Sequence, residues 1–507
     1  APSERSTPWP GWRAASVATA TDQGPAPHPG GTPLYVYNGG FLTQRRVRRI
    51  LTLAGYRLRV GLPGPGAPGA PGPLVGVWGQ SPTVWRGHAV AARRGTPVLT
   101  VEDAFLRSVL PGRAGGGPGL GLCLDRGGVH FDPATVSDLE RLCAGAPLDD
   151  PALLARAEAA IAEMQRQHLS KYTAFDPAAP VPPAGHVLVI DQTAGDASLR
   201  ASGADRQTFL TAARLAAAEH PGAPLVIKGH PETASGHRAG HLTPGDVPGA
   251  MFLTAPVSPW PLLAGARAVY TVSSQLGFEA ILAGHRPVVL GQPFYMGWGL
   301  TDDRKPLPRR TRQLSPAQLF AAALLLYPTW YDPYRDRLCP LEDAMAALTA
   351  ETRAWRDDHR GWVATGMRLW KRKPLQDVFG QTTKLRFEGR PARAVARARA
   401  EGRRLMVWAG KTTAELDAAG AVRIEDGFLR SRGLGADLVP PLSLVLDDLG
   451  IYYDPTRPSR LEHLIAAAAR DRPALARARA ARLIQTLTTA SLSKYNLAAA
   501  SLPDPLP

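Results

Sequence analysis

The chain has 507 residues and a formal net charge of +16, from 59 Lys and Arg against 43 Asp and Glu. With 44% hydrophobic and 20% charged residues it has a globular balance, so about three domains are expected and a fibrous or wholly disordered chain is excluded. Three scattered cysteines, Cys123, Cys143 and Cys339, exclude a disulfide framework or a cysteine-built zinc site and fit a reducing compartment.

In chain order, residues 1–32 are rich in Pro, Gly, Ser and Thr without periodicity and read as a disordered tail. Residues 34–37 are apolar and β-prone, and 44–54 form a helix with an Arg-rich outer face. The segment 61–73, GLPGPGAPGAPGP, is a flexible insert between strands, and 75–78 and 97–101 are strands. Residues 119–131 are predicted as a hairpin turning at Arg126-Gly127-Gly128, followed by helices over 135–144 and 151–170. The run HVLVI at 186–190 fits a buried parallel strand, and 225–227, 268–271 and 287–290 follow in the same style with helices between. Two doubly wound α/β domains, 33–180 and 181–340, with a cleft between them, are the expected architecture.

An internal repeat dominates the sequence. EDAFLRS at 102–108 recurs as EDGFLRS at 425–431, VHFDP at 129–133 as IYYDP at 451–455, and LSKY at 169–172 as LSKY at 492–495. Glu102 to Lys171 and Glu425 to Lys494 both span 69 residues, so a whole module is duplicated rather than a short solenoid repeat. After the second LSKY the sequence reaches Pro507 near where the second α/β half would begin, so 341–507 is expected to be the incomplete, inactive first half of a second module.

Ligands of open α/β sheets sit beyond the carboxyl ends of the strands. There the first module places Asp191, Gln192 and Asp196, then Lys228, His230 and Pro231, then Ser273, Ser274 and Gln275, and finally Tyr295 and Trp298. Hydroxyls and free amides at a helix start hold anions, Lys228 and His230 can donate to a phosphate, and Asp196 or Asp191 suits nucleophilic or acid–base work. Ser-Ser as a plain helix cap, the aspartates as turn formers and Tyr295 and Trp298 as core are the competing structural readings. Glu102 and Asp103 end the strand at 97–101, with Arg107 and Ser108 behind. The paired carboxylates fit a general base or a sugar-hydroxyl ligand, or else a surface helix cap with Arg107 as ion-pair partner. The basic excess allows nucleic acid, anionic membrane or anionic substrate, but no RNP aromatics, finger spacing or basic heptads favour nucleic acid.

On 101–133, 187–198, 228–241, 269–298 and 423–462 the chain resembles the KpsC-type capsule polysaccharide β-Kdo transferases. PLSLVLDDLGIYYDP at 441–455 and PFYMGWGLTD at 293–302 are the most specific segments. The resemblance implies a GT-B pair of Rossmann-like domains, CMP-β-Kdo as donor with no cofactor or metal, and retention of configuration. It also implies a lipid-linked Kdo acceptor of the phosphatidylglycerol type and a cytoplasmic enzyme peripheral to the anionic inner-membrane surface. His230-Pro231 and Ser273-Ser274 would hold the CMP phosphate with Gln192, Lys228 and Gln275. Glu102-Asp103 would supply a base, Asp196 the glycosyl-carrying carboxylate with Asp191 in reserve, and Arg107, Ser108, Tyr295 and Trp298 substrate contacts. Glu232 stands where the family pattern has Asp, and the 61–73 insert is not a family feature. The rival readings are a transferase of another nucleotide sugar, and a non-catalytic binding module of capsule assembly.

Overall fold

The computed structural model describes residues 31–64 and 72–497, so nearly all of the predicted tail and the middle of the 61–73 insert lie outside the described residues. The first sheet is built from β1 (Thr32–Val36), β2 (Tyr56–Arg59), β3 (Leu74–Trp78), β4 (Val98–Asp103) and β5 (Gly121–Asp125). The second holds β6 (His186–Ile190), β7 (Leu225–Lys228), β8 (Met251–Leu253), β9 (Ala266–Thr271), β10 (Val288–Val289) and β11 (Asp302–Asp303). The chain then returns, and β12 (Pro328–Asp332) and β13 (Arg337–Cys339) complete the first sheet in the order β13-β12-β5-β4-β3-β1-β2.

This return corrects the domain boundary read at 340. Residues 328–339 belong to the first sheet, and the helix Leu341–Asp358 buries Leu341, Met345 and Leu348 in the core that joins both halves. The predicted hairpin is also corrected. β5 runs antiparallel between β4 and β12, and Gly127 and Gly128 donate their amides to the Asp125 carboxylate rather than turning the chain into a partner strand.

The second sheet is wholly parallel, in the order β11-β10-β9-β6-β7-β8. Every residue of HVLVI is buried, because helices cover both faces of β6. From β6 the chain first winds outward through β7 and β8, then crosses to β9 on the other side. The crevice between the ends of β6 and β9 is therefore the switch point at which such sheets bind ligands.

The third sheet contains β14 (Trp362–Thr365), β15 (Arg386–Glu388), β16 (Arg404–Trp408), β17 (Val422–Asp426) and β18 (Leu444–Asp447), ordered β15-β14-β16-β17-β18. This repeats β2-β1-β3-β4-β5 strand for strand, including the antiparallel last pair. The duplication read in the sequence is thus a duplication of fold. The two copies differ in what covers them. Phe105 and Leu106 are 3% and 1% exposed beneath Phe278 and Phe294 of the second sheet's layer, whereas their counterparts Phe428 and Leu429 are 56% and 38% exposed.

Candidate active site

The repeated motifs lie together because the backbone ties them. In the first copy the amides of Arg107 and Ser108 both donate to the Lys171 carbonyl, and in the second those of Arg430 and Ser431 donate to Lys494. The constant 69-residue spacing therefore preserves one knot, in which EDxFLRS and LSKY close on each other.

Within that knot the acidic pair separates into two roles. Asp103 accepts the Arg107 Nε–H at 2.6 Å, while Arg107 also donates to the Ser108 hydroxyl and the Gly117 carbonyl. Ser108 is buried and donates to the Leu110 carbonyl. Asp103, Arg107 and Ser108 thus brace the loop against itself. Among the described residues no basic side chain is bonded to Glu102: its carboxylate accepts only the Asp103 amide, at 3.1 Å. Burial, helped by the Asp103 charge, pushes Glu102 up to about 7, against a smaller downward pull from Lys171.

Lys171, which the sequence reading used only as a repeat marker, faces this carboxylate. Burial works against its charge, but Tyr172, Glu102, Asp103 and Asp196 outweigh that and raise its pKa. Its backbone is held from the other domain. The Ser170 hydroxyl donates to both oxygens of Glu279, at 2.7 and 3.0 Å, and Gln275 Nε2 donates to the Phe105 carbonyl at 2.8 Å. Glu279 is 1% exposed and is pushed to about 7 by burial. Its signal in the sequence was an acid inside an otherwise apolar helix, QLGFEAIL.

On the second sheet, the two aspartates after β6 also part company. Asp191 is buried and accepts the amides of Gln192, His241 and Leu242; burial raises its pKa while these bonds lower it. It staples the loop at 239–242 onto the strand end. Asp196 is half-buried, caps the helix Ala197–Ser202 and, among the described residues, accepts only from the Ser198 amide and hydroxyl, both at 2.9 Å. It interacts electrostatically with Glu102, Lys171 and His230, which places it across the cleft from the first sheet's acid.

The switch point itself is spanned by Gln192, whose Oε1 accepts the Ser273 amide at 2.9 Å; the Ser273 hydroxyl meets that of Ser198 at 2.9 Å. Ser274 caps the helix Gln275–Leu282. Beside them His230 caps the short helix Pro231–Ala234 by accepting the Glu232 amide on Nδ1, which leaves the ring proton on Nε2. Burial, then Lys171, lowers His230 to about 4, so at neutral pH it is an uncharged N–H donor. Lys228 donates to the Gly229 carbonyl, and burial lowers it to about 8. Lys228, His230, Ser273 and Ser274 thus form a donor-rich strip suited to a phosphate.

Tyr295 and Trp298 are corrected outright. Both are 0% exposed, and they donate to the carbonyls of Ser274 and Phe294, so they pack the core behind the strip and cannot touch a substrate. Among the described residues no group of three or more His, Cys, Asp and Glu is placed to hold a metal ion, and no helix is long and apolar enough to cross a membrane.

This two-sheet cleft has known relatives. A solved structure, the β-Kdo 2,4 transferase of Thermosulfurimonas dismutans KpsC, shares 32% identity and a TM-score of 0.57, covering 63% of this chain and 98% of that one. This chain belongs to the KpsC-type family of capsule polysaccharide biosynthesis proteins. The family model for capsule polysaccharide biosynthesis proteins matches residues 182–329 and 404–504. Capsule polysaccharide modification protein LipA of Neisseria meningitidis serogroup B is 35% identical over 450 residues, 84% of this chain and 63% of that protein. Lipopolysaccharide-processing protein LpsZ of Rhizobium meliloti is 38% identical over 267 residues, 52% of this chain and 60% of that protein. The chain thus spans somewhat under two thirds of the curated relatives it matches. The GT-B-type pairing of two Rossmann-like halves expected for the family is the arrangement of the first two sheets.

Proposed function

We propose that the first module is a glycosyltransferase that moves Kdo from CMP-β-Kdo to a lipid-linked Kdo acceptor in capsule assembly, with retention of the β configuration. The observation that carries this reading is the convergence of Glu102, Lys171, Asp196 and His230 at the facing ends of two sheets, beside a phosphate-ready strip.

In this reading Lys228, His230, Ser273 and Ser274 take the CMP phosphate, and no metal is needed where fixed donors meet the charge. The Asp196 carboxylate attacks the anomeric carbon of Kdo as the bond to the CMP phosphate breaks, leaving a glycosyl ester. Asp191 is unsuited to that step because the loop amides occupy its oxygens. Glu102 then takes the proton of an acceptor hydroxyl, whose oxygen displaces Asp196 and restores the original configuration. A group held near pH 7 is well matched to that transfer. The net charge of +16 would serve attraction to an anionic inner-membrane leaflet, where a lipid-linked acceptor resides.

The test is release of CMP from CMP-Kdo generated in place, with a synthetic lipid-like Kdo acceptor and the product linkage read by NMR. Turnover in the parent protein, lost in Asp196→Ala and His230→Ala, is the expected result. A Kdo-sized mass increase on the peptide carrying Asp196, in a Glu102→Gln variant given donor alone, would identify the nucleophile. Full turnover in Asp196→Ala, or release from a different nucleotide sugar only, would overturn the assignment.

A further inference from the structure

Glu102 sits in a dent that only a glycine leaves open. Gly79, directly after β3, turns with a φ of +39°, and a Cβ placed on it would meet a Glu102 carboxylate oxygen at 2.1 Å and the Phe131 ring at 3.8 Å. The Gly79 Cα and the edge of the Phe131 ring thus border the space beside this carboxylate. Neither can donate a hydrogen bond.

The second copy keeps the acid and changes both walls. Trp78 pairs with Val101 and Trp408 with Ile424, so Ala409 follows β16 where Gly79 follows β3, and Glu425 follows Ile424 as Glu102 follows Val101. Ala409 opens a short 3-10 turn instead of a left-handed one. In IYYDP, Tyr453 replaces the Phe131 of VHFDP, and its phenol lies against Glu425, with burial and then that carboxylate raising its pKa.

We propose that Gly79 and Phe131 are positioning residues that seat the Glu102 carboxylate and keep it short of hydrogen-bond donors, and that Ala409 and Tyr453 seat Glu425 in a pocket with a donor and a methyl group in their place. The inference rests on the reading of Glu102 as the base. A carboxylate against a Cα and a phenyl ring loses hydration without compensation, which favours its neutral form; a phenol in the same place favours the ionised form. The charged and titratable groups facing Glu102 are Asp103 on its own strand, Arg107 in the loop that follows it, Lys171 after the helix Pro151–Arg166, Asp196 at the start of the helix Ala197–Ser202, and the Cys123 thiol opposite it on β5. His130 stands behind Phe131, lowered to about 3 by burial and then Lys171, and is uncharged. Phe131→Tyr and Gly79→Ala change none of these charges, so they isolate the walls.

The experiment grafts the second copy's walls onto the first, as Phe131→Tyr, Gly79→Ala and the pair, in the full chain. Two quantities are followed: the pH profile of kcat/KM for CMP release, and the titration of Glu102 itself by carbon NMR of carboxyl-labelled glutamate, with Glu102→Gln identifying the signal. Phe131→Tyr is expected to lower the Glu102 titration and the acidic limb of the profile together, by about one pH unit. Gly79→Ala, which displaces the carboxylate, is expected to cut kcat at least about tenfold with donor KM little changed. The proposal is overturned if Phe131→Tyr melts like the parent protein yet leaves the Glu102 titration where it was. Should Glu102→Gln keep full turnover while Phe131→Tyr still moves the titration, the seating stands and the role of Glu102 as base falls. If Gly79→Ala does not fold, Phe131→Tyr alone decides.

Discussion

A carboxylate engaged by three backbone amides is a structural part, and one engaged by a single neighbouring serine is available for chemistry. Asp191 and Asp196 differ in this way, although only four residues lie between them. Asp191→Ala removes the acceptor that gathers 239–242 and strands those buried amides, at a cost of about 1–3 kcal/mol. A lowered melting temperature is expected for it. Asp196→Asn gives up only a helix cap that asparagine can also provide, so it should melt like the parent and lose turnover by a factor of about a thousand or more. Equal melting temperatures for the two variants would refute this division. The sequence places both aspartates at the strand end but cannot sort them, because the partners of Asp191 are fifty residues away. The same holds for Tyr295 and Trp298. An aromatic after a glycine-rich turn reads as a ligand platform until the layer that encloses it is known.

Among the elements, the helix Gln275–Leu282 carries the join between the two halves. Its first turn supplies Gln275 to the EDAFLRS loop and its second supplies Glu279 to Ser170, so one helix fixes the first sheet's acid and lysine relative to the phosphate strip. Most of the longer strands and helices of both halves follow from period and breaker patterns, and β5 lies within the segment read as a hairpin. The partners of β5 do not follow: a Gly-Gly turn that serves the Asp125 carboxylate has the same sequence signature as a hairpin turn, and no local pattern announces β12, which returns to a sheet begun at Thr32. Glu279 gives the join a pH dependence. Its folded pKa of about 7 lies above the unfolded value of 4.5, so the native state retains a proton the unfolded chain releases. The associated stability is fully present below about pH 4.5 and is lost as pH rises through about 7, on the order of a few kcal/mol. Glu279→Gln keeps an acceptor for Ser170 without the titration. Relative to the parent its melting temperature should rise between pH 5 and pH 8, and the comparison cancels the similar slope that Glu102 adds. Parallel curves for parent and variant would show that Glu279 does not titrate in this range.

At the scale of the whole molecule, two copies of one fold meet different surroundings, and the difference is a matter of coverage. In the first copy the helices Asp138–Gly145 and Pro151–Arg166 bury Leu139, Cys143, Ala157, Ala160 and Met164 against the segment 319–327 and the helix Leu341–Asp358. Their counterparts, Arg460–Arg470 and Ala474–Thr489, bury no residue and leave Leu464, Ile465, Leu483 and Ile484 exposed. Ion pairs of Arg482 with Asp343 and of Arg404 with Asp357 fasten this copy to the helix Leu341–Asp358, but they are polar and partly exposed and supply little stability. Identical motifs should therefore tolerate the same substitution very differently. Phe105→Ser removes a ring enclosed by Phe278 and Phe294, at a cost of about 3–5 kcal/mol. Phe428→Ser removes one that already faces solvent and should change stability by no more than about 0.5 kcal/mol. Thermal melts of the two variants measure the contrast directly. A matched loss in both would mean that Phe428 is covered in solution by something other than the described residues, and then the motif would be buried in both copies.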